Sequence, residues 1–555
     1  MNDNFEMVAK TFQGLEDVLA EELRGLGAAN VEPGLRMVSF EGDLEMLYRA
    51  NLACRTALRI LKPILKFDAS NTDELYDRIK SFDWNTILSL SKTFAIDSVV
   101  YSNVFTNSRF VTYRVKDAIV DYFKDRYGPD KRPGVRVQDA DVLLNVHIAE
   151  EHVTISLDSS GESLHKRGYR VAQTEAPINE VLAAGILLKA GYCGDTPLID
   201  PMCGSGTFLI EAALIAANIM PGIYRRRFAF EDWKDFDGEL FDSIFNDDSA
   251  EREVTQRIIG ADISPAAASI AERNIKSAGV AKYIDLSVKP MQSWTRDEIP
   301  SEGVLVTNPP YGERIAVEDM ENLYAMIGSS LKHVFLGYHA WIIAYKDELL
   351  RRIGLAPSTK IPLLNGSLPC ELREYVIFDG LMSDFRKKGG KIKDEPVDAS
   401  VYKPNRKRDF NDDRRRGPSR LDDGERRSFR RSGDDEDARD FRKGGRFGRD
   451  GGKRDFRKGD RGKDEVRFRD GDRRQGDFKK RSASQVESPH NELERAYRPK
   501  KGRFAPRDEA PRQQPESDNP LAVRRNEHAL RSIRNIRPSL PPEQGKVIMR
   551  DRRKK

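Results

Sequence analysis

Cysteine is scarce in this sequence. The four present, Cys54, Cys193, Cys203 and Cys370, stand far apart, without the spacing of metal ligands. No metal site is therefore expected, and a reduced, cytoplasmic setting is. The N-terminus, MNDNFEMVAKTF, has no basic stretch leading into an apolar one, so no secretory leader is expected. The longest apolar run, from Val334 to Tyr345, is too short and too interrupted to cross a bilayer, which argues against a membrane partner.

Net charge is also nearly missing, at +5 over 555 residues, but that value averages two opposite regions. Over residues 383–555, Lys and Arg outnumber Asp and Glu 53 to 33; over residues 1–382 they trail 41 to 56. A basic tail on an acidic body points to a polyanion as partner. In the tail Arg, Lys, Asp and Gly dominate, RDFRKG recurs at 439 and 454, and Phe stands singly among charges. Such a segment buries too little apolar surface to offset the entropy of ordering, so it should be disordered. Within it only Leu521 to Ile536 carries the pattern of a short basic helix.

What is present divides residues 1–382 into three parts. In residues 1–60, Leu15, Val18, Leu19 and Leu23 recur at helical spacing up to Gly25 and Gly27, and Arg36 to Phe40 reads as a strand, making a small α+β unit. Residues 61–158 form a second α+β unit. Its strands are Phe94–Ser102, Val142–Ile148 and Val153–Leu157, and its helix carries a stripe from Phe110 to Phe123. Basic residues, Arg114 and Lys116 among them, gather on and after that helix; alone, such a run reads as a solvated face. Residues 159–382 alternate strands and helices, the mark of an α/β fold with a mostly parallel sheet covered on both faces. The stretch from Pro221 to Thr255 breaks that rhythm and reads as an insertion.

The chemistry gathers in this third part. In LIDPMCGSGTFLIEAA, residues 198–213, an apolar strand ends in Asp200, a loop with Gly204 and Gly206 follows, and a helix opens near Thr207. Glycines there let backbone approach a ligand, and a helix N-terminus offers free N–H groups, so a nucleotide-type ligand is expected. The next strand ends in Gly260-Ala261-Asp262, and an acid at that place can hold both hydroxyls of a ribose. Farther on, TNPPYGER at 307–314 follows the apolar run Val304 to Val306. Its two prolines stiffen the backbone between an amide side chain and an aromatic ring.

These residues resemble the class I S-adenosylmethionine-dependent methyltransferases over roughly residues 160–382. The resemblance implies a Rossmann-like domain with a mostly parallel seven-stranded sheet. S-adenosyl-L-methionine would lie against Asp200, Pro201, Cys203, Gly204 and Gly206, with its ribose on Asp262. Where many members place an acid facing the adenine, this sequence has Met291 and Gln292 in KPMQSW. NPPY matches the motif of amino-group methyltransferases. The Asn308 side-chain oxygen and the Pro309 carbonyl would each accept one amine hydrogen, and Tyr311 would stack on the base. By itself the motif leaves adenine N6, guanine N2 and a glutamine side chain open.

DSSGESLHKRGYR at 158–170, APINEVLAAGIL, RRFAFEDW and TNPPYGER together resemble the THUMP-domain guanine-N2 RNA methyltransferases, and among them the bacterial 23S ribosomal RNA enzymes. That implies a ferredoxin-like domain (1–60), a THUMP RNA-binding domain (61–158), the methyltransferase domain (159–382) and, outside the likeness, the basic tail (383–555). RNA, most specifically 23S rRNA or a ribosome assembly intermediate, becomes the expected partner. Arg114, Lys116, Lys166 and Arg167 are candidates for its phosphates, although the last two could equally tie domains together. A methyltransferase for tRNA guanine N2 or adenine N6, or a non-catalytic RNA-binding assembly factor, remains an alternative.

Overall fold

A computed structural model describes residues 4–310, 317–345, 347–366 and 368–380; the tail expected over 383–555, with its Leu521–Ile536 helix, lies outside them. All the described residues fall in one compact unit.

The first sheet has eight strands: β1 (Phe5–Lys10), β2 (Ala29–Gly34), β3 (Met37–Gly42), β4 (Arg59–Asp68), β5 (Thr93–Tyr101), β6 (Gly134–Val135), β7 (Val142–Ala149) and β8 (His152–Asp158). Their order is β2-β3-β1-β4-β8-β7-β5-β6, and α1 (Glu16–Gly25), α2 (Leu44–Ala53), α3 (Thr72–Ser81) and α4 (Ser108–Tyr127) pack with them. The two α+β units read from the sequence thus share one continuous sheet. The join is β4, which straddles the 60/61 division: Arg59–Leu61 pair with β1, and Leu61–Asp68 pair with β8.

The second sheet contains β9 (Leu198–Asp200), β10 (Ile258–Asp262), β11 (Ile284–Val288), β12 (Gly303–Thr307), β13 (Tyr338–Ala344), β14 (Thr359–Asn365) and β15 (Leu368–Val376), in the order β11-β10-β9-β12-β13-β15-β14. Only β15 runs against its neighbours, so the sheet is mixed, with a parallel majority. On one side, α5 (Glu180–Lys189), α6 (Thr207–Ala216) and α8 (Pro265–Ser277) join a core continuous with the N-terminal half. On the other, α9 (Val317–His333) and α10 (Asp347–Arg352) cover a second core. Helix α6 is buried on every side, as its largely apolar sequence requires; its one acid, Glu211, is buried with it and paired with Arg167.

The insertion is a clamp. It carries α7 (Gly238–Phe245) and sets Phe230 against Tyr48 of α2, ring centroids 4.7 Å apart. The buried guanidinium of Arg225 donates to the carbonyls of Ser160, Glu162, Ser163 and Lys166. Lys234 reaches the carbonyls of Asn85 and Leu88, and Lys92 reaches that of Asp232. One loop therefore ties the N-terminal sheet to the α/β sheet.

Candidate active site

Three neighbouring parallel strands, β10, β9 and β12, end at the same edge of the sheet, where the strand order reverses about β9. Such a switch point opens a crevice beyond the strand ends. A cavity of about 710 Å³ occupies it, and its lining includes Asp200, Cys203, Gly204, Asp262, Asn308 and Pro309. Of the expected residues, Asp200, Cys203, Gly204 and Asp262 are thereby brought together with Asn308 and Pro309.

The loop after β9 is shaped by two glycines in the left-handed region, with φ of +53° at Gly204 and +81° at Gly206. Gly206 forms the N-cap of α6 and has no side chain to satisfy the first-turn N–H groups. The loop is fixed to β10 twice: the Cys203 N–H donates to the Ala261 carbonyl and the Gly204 N–H to Asp262 Oδ2, both at 2.9 Å. Asp262 Oδ1 accepts from the Ser264 N–H at 2.8 Å. Each oxygen keeps a further lone pair, which suits a pair of ribose hydroxyls.

Asp200 is buried, and its Oδ1 accepts from Thr307 Oγ1 at 2.9 Å and from the Met202 N–H at 3.2 Å. Burial pushes its carboxyl up to about 7, against the pull of those two hydrogen bonds. The buried Cys203 thiol is pushed up as well, first by burial and then by the nearby Asp200 and Asp262. Asn308 and Pro309 follow directly on β12. Asn308 Oδ1 is buried with no hydrogen-bond partner among the described residues. An orphaned acceptor costs free energy unless a donor arrives, which makes it a landing point for an N–H group.

A strap missed in the sequence closes one rim. Arg170 donates to Glu180 (2.6 Å), Ser205 (2.9 Å), Thr207 (3.0 Å) and the Ile178 carbonyl (3.2 Å). Asn274 of α8 bonds the backbone of Val171, Ala172 and Ser205. Between these pins, Thr174 to Ile178 are laid along the cavity wall. The Asn274 ties go to backbone, which leaves no pattern in a sequence.

Some expectations need correction. Pro201 is buried, and neither it nor Gly206 is among the lining residues. Met291 is buried outside the cavity and Gln292 does not line it, whereas Ile263 and Ala267 do. Arg167, left open between RNA phosphates and a tie between domains, is only 2% exposed, and its guanidinium is spent on Glu211 and on the carbonyls of Leu164 and Arg55. Its reach into solvent is nil, so it ties elements together. The acid Glu211 amid the apolar run FLIEAA was the available clue. Lys166 is exposed and pairs with Glu162. Arg114 of α4 lies over the Tyr76 ring and donates to Asp73, and Lys116 pairs with Asp117. Tyr311 lies outside the described residues.

No described helix is long and apolar enough to cross a membrane, and no group of three or more His, Cys, Asp or Glu among the described residues could hold a metal ion.

Comparison with known proteins places these features. A model of the RMKL-like methyltransferase domain matches residues 167–374, one of the RlmL ferredoxin-like domain residues 6–61, and one of the THUMP domain residues 69–158. A protein of Synechocystis sp. named as a candidate RNA methyltransferase is 38% identical over 67% of this chain and 96% of its own length. The ribosomal RNA large subunit methyltransferase K/L of Syntrophotalea carbinolica is 38% identical over 68% of this chain; the match spans 54% of that relative, about half its length. Among solved structures, the crystal structure of SMU.472, a candidate methyltransferase complexed with SAH, superposes with a TM-score of 0.61. It is 30% identical, over 69% of this chain and all of that one.

Proposed function

The chain belongs to the RMKL-like methyltransferase family with an N-terminal THUMP domain, and from that footing we propose that it methylates the exocyclic N2 amine of a guanine in 23S rRNA. The observation that carries this reading is the orphaned Asn308 Oδ1, standing in the same cavity as the glycine loop. The cavity fits the cofactor on its own terms: open backbone at Gly204, an uncapped helix N-terminus and two carboxylates at adjacent strand ends.

S-adenosylmethionine, when bound, supplies an electrophilic methyl group. The protein's part is to hold the amine. An exocyclic amine delocalises its lone pair into the ring and is a poor nucleophile. With Asn308 Oδ1 accepting one amine hydrogen and the Pro309 carbonyl the other, the lone pair is held out of the ring, and the charge developing on nitrogen is stabilised. The prolines keep both acceptors from turning away. Residues 61–158 would capture a folded RNA element, and the basic tail would add salt-sensitive affinity indifferent to sequence. The cytoplasm, where rRNA is assembled, is the setting this implies.

RNA as substrate is supported by the THUMP match, and the large ribosomal subunit by the names of the K/L relatives. Nucleoside mass spectrometry of 23S, 16S and transfer RNA from cells with and without the gene is the test. Loss of N2-methylguanosine from 23S alone is the expected result. Loss from transfer RNA, or of N6-methyladenosine, would move the substrate; no change in any RNA would refute the activity.

A further inference from the structure

Thr307, the last residue of β12, has no exposed surface, yet it carries a hydroxyl. A hydroxyl stripped of water costs free energy unless it is bonded, and valine would fill the same space without that demand. The hydroxyl is bonded to Asp200 Oδ1 at 2.9 Å. Backbone pairing between β9 and β12 stops at Leu305 opposite Ile199, before either strand reaches the cavity. Beyond that point the described ties between the two strand ends include this side-chain bond and no backbone ladder. The same Asp200 oxygen accepts the Met202 N–H, so a single atom joins the start of the glycine loop to the residue before Asn308.

We infer that Thr307 is a positioning residue for methyl transfer: anchored on Asp200, it fixes where the Asn308 and Pro309 acceptors stand relative to the glycine loop. The inference rests on the amine-transfer reading above. Thr307 touches no reacting atom; it acts through the rigidity of the turn that follows it. A displacement of well under the length of a bond at Asn308 weakens both amine hydrogen bonds at once and leaves the glycine loop, still held by Asp262, able to bind.

The test compares T307V, T307S and the full-length wild-type chain. Affinity for S-adenosylhomocysteine is measured by calorimetry, and single-turnover transfer is measured to 23S rRNA from cells lacking the gene. T307V is expected to keep its cofactor affinity within about threefold while transfer slows by about tenfold to a hundredfold. T307S, which restores the hydroxyl, should recover most of the rate. Wild-type transfer by folded T307V, a parallel loss of cofactor affinity, or no rescue by serine would overturn the role. T307A serves if T307V does not fold; if neither folds, Thr307 is structural and the inference is wrong. A wild-type chain that binds S-adenosylhomocysteine but methylates none of the RNA would instead refute the amine-transfer reading, and the role of Thr307 with it.

Discussion

Asp262 accepts the backbone N–H of Gly204 at 2.9 Å, so the acid at the end of β10 holds the shape of the glycine loop as well as facing the cavity. D262A removes the proposed ribose acceptor and the loop anchor in one step. Cofactor affinity is expected to fall at least about a hundredfold, since a charge-assisted bond and a buried N–H are both lost. Calorimetry with S-adenosylhomocysteine checks this; a loss of less than tenfold would separate the two roles.

The acceptor turn should behave in the opposite way. N308A removes an oxygen that no described group uses in the free protein. Cofactor affinity should hold, while transfer falls by about a hundredfold to a thousandfold, the range for removing one preorganised partner of developing charge. Single-turnover assays read the rate, and unchanged transfer would sink the mechanism.

The two glycines of the loop separate fold from ligand. An added Cβ at Gly206 would meet the Ala271 Cβ at 3.1 Å, with φ already at +81°. G206A is therefore expected to cost about 1–3 kcal/mol of stability. At Gly204 the nearest atom to an added Cβ is Thr174 Oγ1 at 4.0 Å, across open cavity. G204A should melt closer to wild type yet bind cofactor more weakly, because its methyl enters the ligand's space. Thermal melts with and without S-adenosylhomocysteine distinguish the pair.

Arg167 and Glu211 bear on the corrected reading of the domain junction. The pair is buried, at 2% and 0% exposure, and Tyr169 donates to the same carboxylate at 2.8 Å. R167M leaves Glu211 a buried, unmatched acid and should cost about 3–5 kcal/mol. RNA affinity per folded molecule should be unchanged. Weaker RNA binding with an unchanged melting temperature would restore Arg167 to the RNA surface.

Burial raises the Asp200 carboxyl from its ordinary 3.8 to about 7. Between those values the folded protein keeps a proton that the unfolded chain has released. This group's stabilisation is therefore full below about pH 4 and drains away as pH rises toward about 7. D200N stays neutral throughout. Its melting temperature should fall less than the wild type's between about pH 5 and about pH 8, and equal slopes would mean that Asp200 is not the group responsible.

How much of this was legible depended on whether the physics left a local pattern. Strand β9, the glycine loop and α6 were readable because apolar run, acid, glycines and apolar helix follow one another within sixteen residues of sequence. The turn at Asn308 was readable because proline constrains its neighbours wherever it stands. Strand β4 was not: RILKPILKFD mixes lysine and proline into a strand whose two edges serve different partners, so it shows neither alternation nor a continuous apolar run. Strand β14 is hard to read for a related reason: TKIPLLN mixes lysine and proline into a strand with a single buried residue. The role of the insertion was hidden because Arg225 binds four carbonyls, and every residue type has one. Arg167 stayed open between two roles because a sequence displays charge and conceals depth.

The sharing of β4 between the two halves of the N-terminal sheet also bears on biosynthesis. As the chain emerges, β4 meets β1 almost at once, but its β8 partner does not exist until residue 158 has been made. Through that interval Leu61 to Asp68 present an open row of amides and carbonyls, the kind of edge that recruits a wrong strand. Lys62 and Lys66 fall within that row, with Pro63 between them. Charge and a missing N–H are what keep a bare strand from pairing with a stranger. The composition that made β4 hard to recognise thus also guards the nascent protein while its proper neighbour is still being synthesised.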